Sequence, residues 1–408
     1  MLGCLGCCAA DAACCATKGI LSLGCCGLSY GASKAAKVMY AFGFTLCTLF
    51  AFLFLNYGAK IVGWIPNAIN DKCGAECFNF ISVYRVSFAL TVYHAVLFVG
   101  LFGVNSKENK RSVFQFGFWP FKVFLFLILL ISSFIIPATF FINYYVSSAI
   151  FSIIFMVING ILLVDLAHRV SEYLIEKYEE TNGRFWQVLM ISLFVGVNIG
   201  SIVLSVFLII KTSDTEWASL TKFFVGLNAV LVVTKQVISV LPKVQEANPQ
   251  SGILQSTLLG FYTTYIVASA VTSKSFLVEG IPSDDKFMST VRWIAIILTF
   301  LSIAYSAFSV GGSSGKLSLT SAEAEEDDEE AAAQYNYSFF HFVFISAAAY
   351  MAVILTYWQQ PAFNDLDVFI TIDHNSVVWF KMVSAWFITL LYIWTLVAPI
   401  IFPDRDFS

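Results

Sequence analysis

Residues Val146–Glu180 read VSSAIFSIIFMVINGILLVDLAHRVSEYLIEKYEE, and no proline interrupts them. As one helix this stretch would be roughly 50 Å long, whereas the hydrocarbon core of a bilayer is about 30 Å thick. The first half is almost entirely apolar. In the second half, charged and ionisable residues recur every three or four positions and share one helical face: Asp165, His168, Arg169, Glu172 and Glu176. We therefore predict a helix that tilts steeply, protrudes from the membrane, or does both.

The composition of the whole chain indicates a membrane protein. Of its 408 residues 58% are hydrophobic and only 12% are charged, and the mean hydropathy is +0.78. Apolar segments of membrane-spanning length recur from one end of the chain to the other, which excludes a soluble globular domain. No basic patch indicates binding to nucleic acid, so we expect no nucleic-acid partner.

Hydropathy predicts an all-α membrane protein with ten spans. The predicted spans are Val38–Asn56, Ile81–Val104, Phe118–Ile136, the long segment from Val146, Phe185–Ile210, Phe223–Leu241, Ile253–Val271, Val291–Val310, Tyr337–Trp358 and Val377–Phe402. If the N-terminus lies in the cytosol, most lysines and arginines of the connections fall on the cytosolic side. We therefore expect both termini of this multi-pass protein to be cytosolic.

The spans divide the chain into five segments. We expect a cysteine-rich N-terminus at the cytosolic membrane surface, spans one to eight with the crossing helix 146–180, an acidic disordered cytosolic loop, spans nine and ten, and a cytosolic C-terminus. Their bounds are 1–37, 38–310, 311–336, 337–402 and 403–408. The acidic loop contains a block of carboxylates that cannot form a core, which is typical of a disordered linker.

Nine of the ten cysteines lie in two places, the N-terminus and the first extracytosolic loop. Cys73 and Cys77 share the first extracytosolic loop, where an oxidising compartment would allow a disulfide, although local backbone geometry decides whether it forms. The candidates for S-acylation lie at the N-terminus: Cys4, Cys7, Cys8, Cys14 and Cys15. The alternative for the N-terminal cluster is a segment of small residues packed at the membrane surface. No spacing of cysteine and histidine matches a metal site.

Polar groups inside spans are costly, so each is a candidate for function. The candidates for a lipid-headgroup groove are Asp165, His168, Arg169, Lys235, Gln255, Tyr262 and Tyr265. The alternative is ion pairing at a solvated helix end for Asp165 and Arg169, snorkelling for Lys235, and contacts between helices for Gln255, Tyr262 and Tyr265. Arg85 and Lys122 lie near span ends, so we expect them to reach the headgroups. His94 and His341 are lone histidines among aromatic residues, which favours packing contacts.

No nucleophile elbow, HExxH motif or paired intramembrane carboxylate is present in the sequence. The glycines before Lys316 do not form a phosphate-binding loop, because Val310 occupies the position of its first glycine. We therefore expect a protein that is not an enzyme and that has no cofactor and no metal.

Several strings resemble the serine incorporator family, whose fungal members are Tms-type proteins. They are VYRVSFAL from Val83, GFWPFK from Gly117, LLVDLAHRVSEYLIEKYEE from Leu162, PKVQEANPQSGILQS from Pro242, YTTYIVASA from Tyr262, YSFFHFVF from Tyr337 and WTLVAPIIFPDRDFS from Trp394. These strings cover almost the whole chain. The luminal segment Trp358–Asn375 is the least similar part.

The resemblance implies ten spans in two bundles joined by a long diagonal fourth helix. It also implies a role in serine incorporation into phosphatidylserine and sphingolipids, or ATP-independent phospholipid scrambling, and some animal members reduce the infectivity of retroviral particles. The expected partners are membrane phospholipids, with sterol or sphingolipid and a second copy of the chain as further candidates. The expected location is the plasma membrane or an endomembrane of the vacuole, endosome or Golgi.

Three functions stay open on the sequence. A passive phospholipid transporter needs a polar groove that lowers the desolvation barrier for a headgroup. An accessory protein that presents serine to lipid-synthesising enzymes needs a serine site. A membrane organiser without transport needs only contacts between helices. We favour the transporter, because polar residues are scattered through the spans and a nucleotide site is missing from the sequence.

Overall fold

The computed structural model describes residues 30–62, 73–106, 109–213, 217–248, 251–272, 336–364, 368–372 and 376–402, and in addition Ile297, Leu301 and Tyr305. Within these ranges the helices are α1 Tyr30–Val62, α2 Ala75–Gly100, α3 Val113–Phe116, α4 Trp119–Ile135, α5 Ala138–Thr181, α6 Arg184–Lys211, α7 Ala218–Ser239, α8 Pro242–Ala247, α9 Ile253–Val271, α10 Tyr337–Leu355 and α11 Ser376–Ile401. Two strands, β1 Gln360–Phe363 and β2 Phe369–Ile372, lie between α10 and α11.

The helices make this a multi-pass membrane protein. Among the described residues, seven helices are long and apolar enough to cross a membrane, or eight if the bent pair Lys110–Phe116 and Trp119–Ile135 forms one span. Helix α9 covers the same residues as the predicted seventh span but is not among these seven. Most of the predicted eighth span, Val291–Val310, lies outside the described residues. The count of ten therefore stays a prediction.

Two bundles share the long helix α5. In the first bundle α2 and α10 pack against the first part of α5, and α1 and α4 pack against α2. In the second bundle α6, α9 and α11 pack against the last part of α5, and α7 packs against α9 and α11. Phe141, Phe155 and Leu162 of α5 belong to the apolar core of the first bundle, whereas Val164 and Ala167 belong to the core of the second. The predicted arrangement of two bundles joined by a long fourth helix is confirmed.

Helix α5 begins earlier than the apolar pattern predicts. It starts at Ala138, directly after Pro137, and ends at Thr181. Proline cannot donate the hydrogen bond that a helix interior requires, so the break falls there and not at Val146. The C-terminal end is set by Asn182, whose φ of 44° is left-handed, a conformation that often ends helices. At 1.5 Å per residue the helix is about 66 Å long.

A short β-hairpin and a disulfide lie in connections between spans. Strands β1 and β2 pair antiparallel with Phe363 opposite Phe369, and the Phe369 ring packs 5.6 Å from that of Phe80 on α2. The sequence predicts only a luminal segment here, because four-residue strands give too short an alternation to detect. Cys73 and Cys77 are joined by a disulfide at the start of α2.

Helices α5 and α11 approach closely at Gly160. A Cβ atom added at Gly160 would lie 2.6 Å from Cγ1 of Ile388, well inside van der Waals contact. Glycine therefore permits the crossing of α5 over α11 at this position.

We expect Gly160→Ala to reduce stability by about 1–3 kcal/mol, because the added methyl group forces the two helices apart. Thermal unfolding of the purified protein in detergent measures the effect. Gly196→Ala on α6 is the control, since a Cβ there has no neighbour within 4 Å among the described residues. Adding Ile388→Ala to Gly160→Ala should restore part of the loss. Equal melting temperatures for both alanine variants would contradict the close contact.

Candidate functional site

An acid–base group lies where α5 passes from the first bundle to the second. The Nε atom of Arg169 donates to Oδ2 of Asp165 over 2.9 Å, and the hydroxyl of Tyr305 donates to the same oxygen. Asp165 is only 8% exposed, whereas the Arg169 side chain is 49% exposed. The group therefore combines a buried carboxylate with an accessible guanidinium.

The contact between α5 and α6 indicates how deep in the membrane the acid–base group lies. The ring of Tyr173 on α5 packs edge-on, at 6.2 Å, against Trp186 in the first turn of α6. Phe185 and Val188, in the same part of α6, are largely exposed, as expected of residues that face lipid tails. Asp165 precedes Tyr173 by eight residues, about 12 Å along the helix towards its apolar end. We infer that Asp165 lies within the membrane.

Other predicted groove residues lie on α5 or pack against it. The imidazole ring of His168 lies 6.0 Å from the ring of Tyr392 on α11. The side-chain amide of Asn159 donates to the hydroxyl of Tyr262 over 3.3 Å. Tyr265 lies next to Tyr262, and both are half-buried against the core that α5, α9 and α11 share. We call Asp165, His168, Arg169, Tyr262 and Tyr265 the junction cluster.

Lys235 and Gln255 lie elsewhere, inside the second bundle. Both are fully buried. The Nζ atom of Lys235 is 3.5 Å from the hydroxyl oxygens of Thr263 and Thr389. Within the part of the chain that the structure describes, Lys235 has no carboxylate within ion-pair distance. Lys235 and Gln255 therefore have other neighbours than Asp165 and Arg169, and the grouping of all of them into one groove stays a prediction.

Amide and hydroxyl pairs in the second bundle hold α6, α7 and α9 together. The side-chain amide of Gln236 donates to Oδ1 of Asn198 over 2.8 Å, and that of Asn228 donates to the hydroxyl of Thr264 over 2.9 Å. Such bonds stabilise helix association in membranes. These pairs fit the alternative that polar residues in the spans make contacts between helices.

Arg85 and Lys122 point inward and not towards the headgroups. Arg85 donates to the carbonyl oxygens of Phe134 and Ile136 over 2.7 and 3.2 Å, and Lys122 donates to that of Gln115 over 2.9 Å. Carbonyl groups at helix ends have no partner within the helix. Such carbonyls are present at the bend before α4 and at the break after it. The apolar sequence around Arg85 and Lys122 gives no sign of these acceptors.

The comparison with protein families decides what kind of chain this is. The model of the family described as serine incorporator (Serinc) matches residues 7–326 and 310–405. The chain belongs to the serine incorporator family.

Relatives of the chain match over nearly their full length. The "Probable serine incorporator" of Nematostella vectensis is 29% identical, with 98% of this chain and 97% of the relative covered. "Serine incorporator 3" of Mus musculus is 28% identical, with 97% and 96% covered, and "Membrane protein TMS1" of Saccharomyces cerevisiae is 30% identical, with 95% and 93% covered. The resemblance stated from the sequence is confirmed.

In this member of the serine incorporator family, two histidines that look isolated in the sequence form a pair. The Nδ1 atoms of His94 and His341 are 2.9 Å apart, and Nε2 of His341 is 2.8 Å from Oε1 of Gln115. The histidines are 247 positions apart, so no local signal predicts the pair. Among the described residues, no group of three or more His, Cys, Asp or Glu side chains is placed to hold a metal ion.

Sequence reasoning also missed Tyr305, Thr263 and Thr389 as neighbours of the candidate residues. Threonine and tyrosine are common in membrane helices, so their side-chain partners emerge only from the packing. The predicted S-acylation sites lie outside the described residues: Cys4, Cys7, Cys8, Cys14 and Cys15.

Proposed function

We propose that the protein is a passive phospholipid transporter that lets phosphatidylserine and other phospholipids cross between the leaflets without ATP. The observation that supports the proposal is the acid–base group of Asp165, Arg169 and Tyr305, which lies partly exposed on the long helix between the two bundles. A group of this kind is costly within a membrane unless it serves a polar pathway.

The barrier to lipid exchange is the desolvation of the headgroup, because the acyl chains stay in lipid throughout. A half-exposed guanidinium such as that of Arg169 has donors left over for a phosphate after one of them bonds Asp165. The Asp165 carboxylate offsets the charge of Arg169 before a headgroup arrives. A side chain that replaces part of the hydration shell lowers the barrier without any covalent step, so the proposed activity is not enzymatic.

The half-buried tyrosines extend this polar surface. A tyrosine side chain combines an apolar ring with a polar hydroxyl group, so the half-buried Tyr262 and Tyr265 suit a boundary between apolar and polar surroundings. His168 adds a further polar ring beside Tyr392. In the proposed pathway the headgroup moves along the junction cluster.

We place both termini in the cytosol, and the protein in the plasma membrane or an endomembrane.

Liposomes test this function. The full-length protein is reconstituted with fluorescent phosphatidylserine, and the fraction accessible to a membrane-impermeant quencher is followed over time without ATP. We expect rapid access to the inner-leaflet lipid in protein-containing vesicles and slow access in protein-free vesicles. Equal rates at verified incorporation would reject the proposal.

A second candidate is an accessory role in serine incorporation, which the names of the relatives favour. This role requires the chain to bind serine. Stabilisation of the purified protein by L-serine, together with loss of serine-dependent lipid synthesis in deletion cells, would support it over lipid movement.

A further inference from the structure

Buried basic side chains in the predicted spans fall into two classes. Arg85, Lys122, Lys235 and Lys381 are each at most 8% exposed, and none has a carboxylate within ion-pair distance among the described residues. A buried charge of this kind needs compensation, because desolvation strongly disfavours the charged form. The four side chains differ in the groups that stabilise the buried charge.

Three of the four donate to backbone carbonyls at helix ends. Arg85 does so at the C-terminal end of α4, and Lys122 does so in α3, directly before the bend that precedes α4, as described above. Lys381 donates to the carbonyl oxygen of Ser269 over 2.9 Å and is 3.1 Å from its hydroxyl oxygen. Ser269 lies in the last turn of α9, where carbonyl groups lack helical partners. These three side chains have a structural role.

Lys235 is the exception. Among the described residues, its Nζ atom has hydrogen bonds only to the hydroxyl oxygens of Thr263 and Thr389, both at 3.5 Å, the outer limit of a hydrogen bond. The amine is fully buried, and an ammonium group carries three donors. No backbone carbonyl accepts from this amine in the described part of the chain. The protein therefore leaves Lys235 poorly compensated, in contrast to the other three.

An oxyanion would complete this arrangement. A phosphate or carboxylate oxygen accepts a short, charge-assisted bond from an ammonium group. Threonine hydroxyls can rotate and donate to the same anion, although the Thr263 hydroxyl bonds the Gly260 carbonyl in this structure. We propose that Lys235, Thr263 and Thr389 form a binding site for the oxyanion of an anionic phospholipid headgroup. This inference rests on the proposed function and places a site for anionic lipid in the second bundle, apart from the junction cluster.

Access to the site requires α7 to move away from α9. One turn from Lys235, Val232 packs against Gly260 so closely that a Cβ at Gly260 would lie 2.9 Å from its Cγ1. Lys235 lies four residues before the end of α7 at Ser239, about 6 Å along the helix. Only the last turns of α7 therefore need to move away from α9 to expose Lys235. The structure is the closed form of the site.

Binding is tested first, because it does not require transport. The full-length protein in detergent is melted with increasing concentrations of short-chain phosphatidylserine, phosphatidylglycerol, phosphatidylcholine or L-serine. The variants are Lys235→Met, Lys235→Arg and, as a matched control on the same helix, Lys222→Met, whose side chain is exposed. Methionine removes a desolvated cation and retains an unbranched apolar chain, so we expect this variant to fold.

We expect the anionic lipids to raise the melting temperature of the wild-type protein more than phosphatidylcholine does. Binding should be about tenfold to a hundredfold weaker in Lys235→Met, the value of a hydrogen bond to a charged group. Lys235→Arg should retain most of the shift and Lys222→Met all of it. An effect of phosphatidylserine alone would assign the serine carboxylate, and an equal effect of phosphatidylglycerol would assign the phosphate.

Three results would overturn the inference. They are a wild-type shift that is the same for phosphatidylcholine, an undiminished shift in Lys235→Met, and stabilisation by L-serine without any by anionic lipid. Liposome transport is then measured separately. If anionic lipid binds at Lys235 but no lipid crosses the bilayer, the site stands and the transport function fails. If lipid crosses with equal rates in wild type and Lys235→Met, the transport function stands and the site has no part in it.

Discussion

Replacing Asp165 with asparagine is expected to slow ATP-independent phospholipid movement about tenfold to a hundredfold. The carboxylate accepts bonds from Arg169 and Tyr305, and hydrogen bonds to a charged group contribute about 1.5–3 kcal/mol each. Without this charge, Arg169 is no longer held beside α5 and its own charge is not offset. A change of about 1.4 kcal/mol in a barrier corresponds to tenfold in rate.

Glu180→Gln provides the control for this experiment. Glu180 pairs with Lys177 on the same helix, but its side chain is half-exposed and the pair lies near the end of α5. Exposed pairs contribute about 0–1 kcal/mol, so transport by this variant should be within a few-fold of wild type. Both variants are compared in vesicles with equal amounts of incorporated protein. Wild-type rates for Asp165→Asn would remove the junction cluster from the pathway.

Replacing Arg85 with methionine is expected to reduce the free energy of unfolding by about 2–6 kcal/mol, because each of two buried carbonyls left without its donor costs about 1–3 kcal/mol. Its guanidinium bonds two carbonyls at the end of α4 and lies 5.3 Å from the ring centroid of Phe134. Methionine fills much of the space but leaves both carbonyls without this donor. Lysine should restore only part of the loss, because it cannot present two donors as a planar fork.

Arg111 is a matched control for Arg85. Its guanidinium also donates to two backbone carbonyls, those of Gly100 and Phe102, over 3.3 and 3.1 Å. Arg111 is exposed, so water replaces the lost donor and Arg111→Met should cost less than about 1 kcal/mol. Thermal or denaturant unfolding in detergent measures both variants. Equal losses would show that burial does not decide the role of Arg85.

The sequence predicts the long helix and the apolar spans because hydropathy and helical periodicity are local properties, whereas the two bundles were expected only from the family resemblance. The α5 segment shows the strength and the limit of this reasoning. Its apolar half and its polar face are visible in the sequence, yet its start at Ala138 follows from a proline outside the chosen stretch. The family resemblance, and not the periodicity, supplied the diagonal arrangement.

The partners of the polar residues depend on contacts between distant parts of the chain. Charge spacing correctly pairs Asp165 with Arg169 on one helix, since the two are four residues apart. No local pattern places Thr389 beside Lys235, because 154 positions separate them. The roles of Arg85 and Lys122 were likewise hidden, because a carbonyl group without a helical partner is not visible in a list of side chains.

Helix α10 has a consequence for biosynthesis. Of its most apolar 18-residue window, 83% is buried, and it supplies His341 to His94 and the Ala348 carbonyl to Ser87 on α2. The ribosome makes α2 more than two hundred residues before α10. Until α10 emerges, the polar groups of α2 lack these partners within the bilayer, and the first bundle stays open. Contacts of such high sequence separation form slowly. The nascent chain therefore needs protection from degradation and aggregation until α10 has been inserted and has packed against α2.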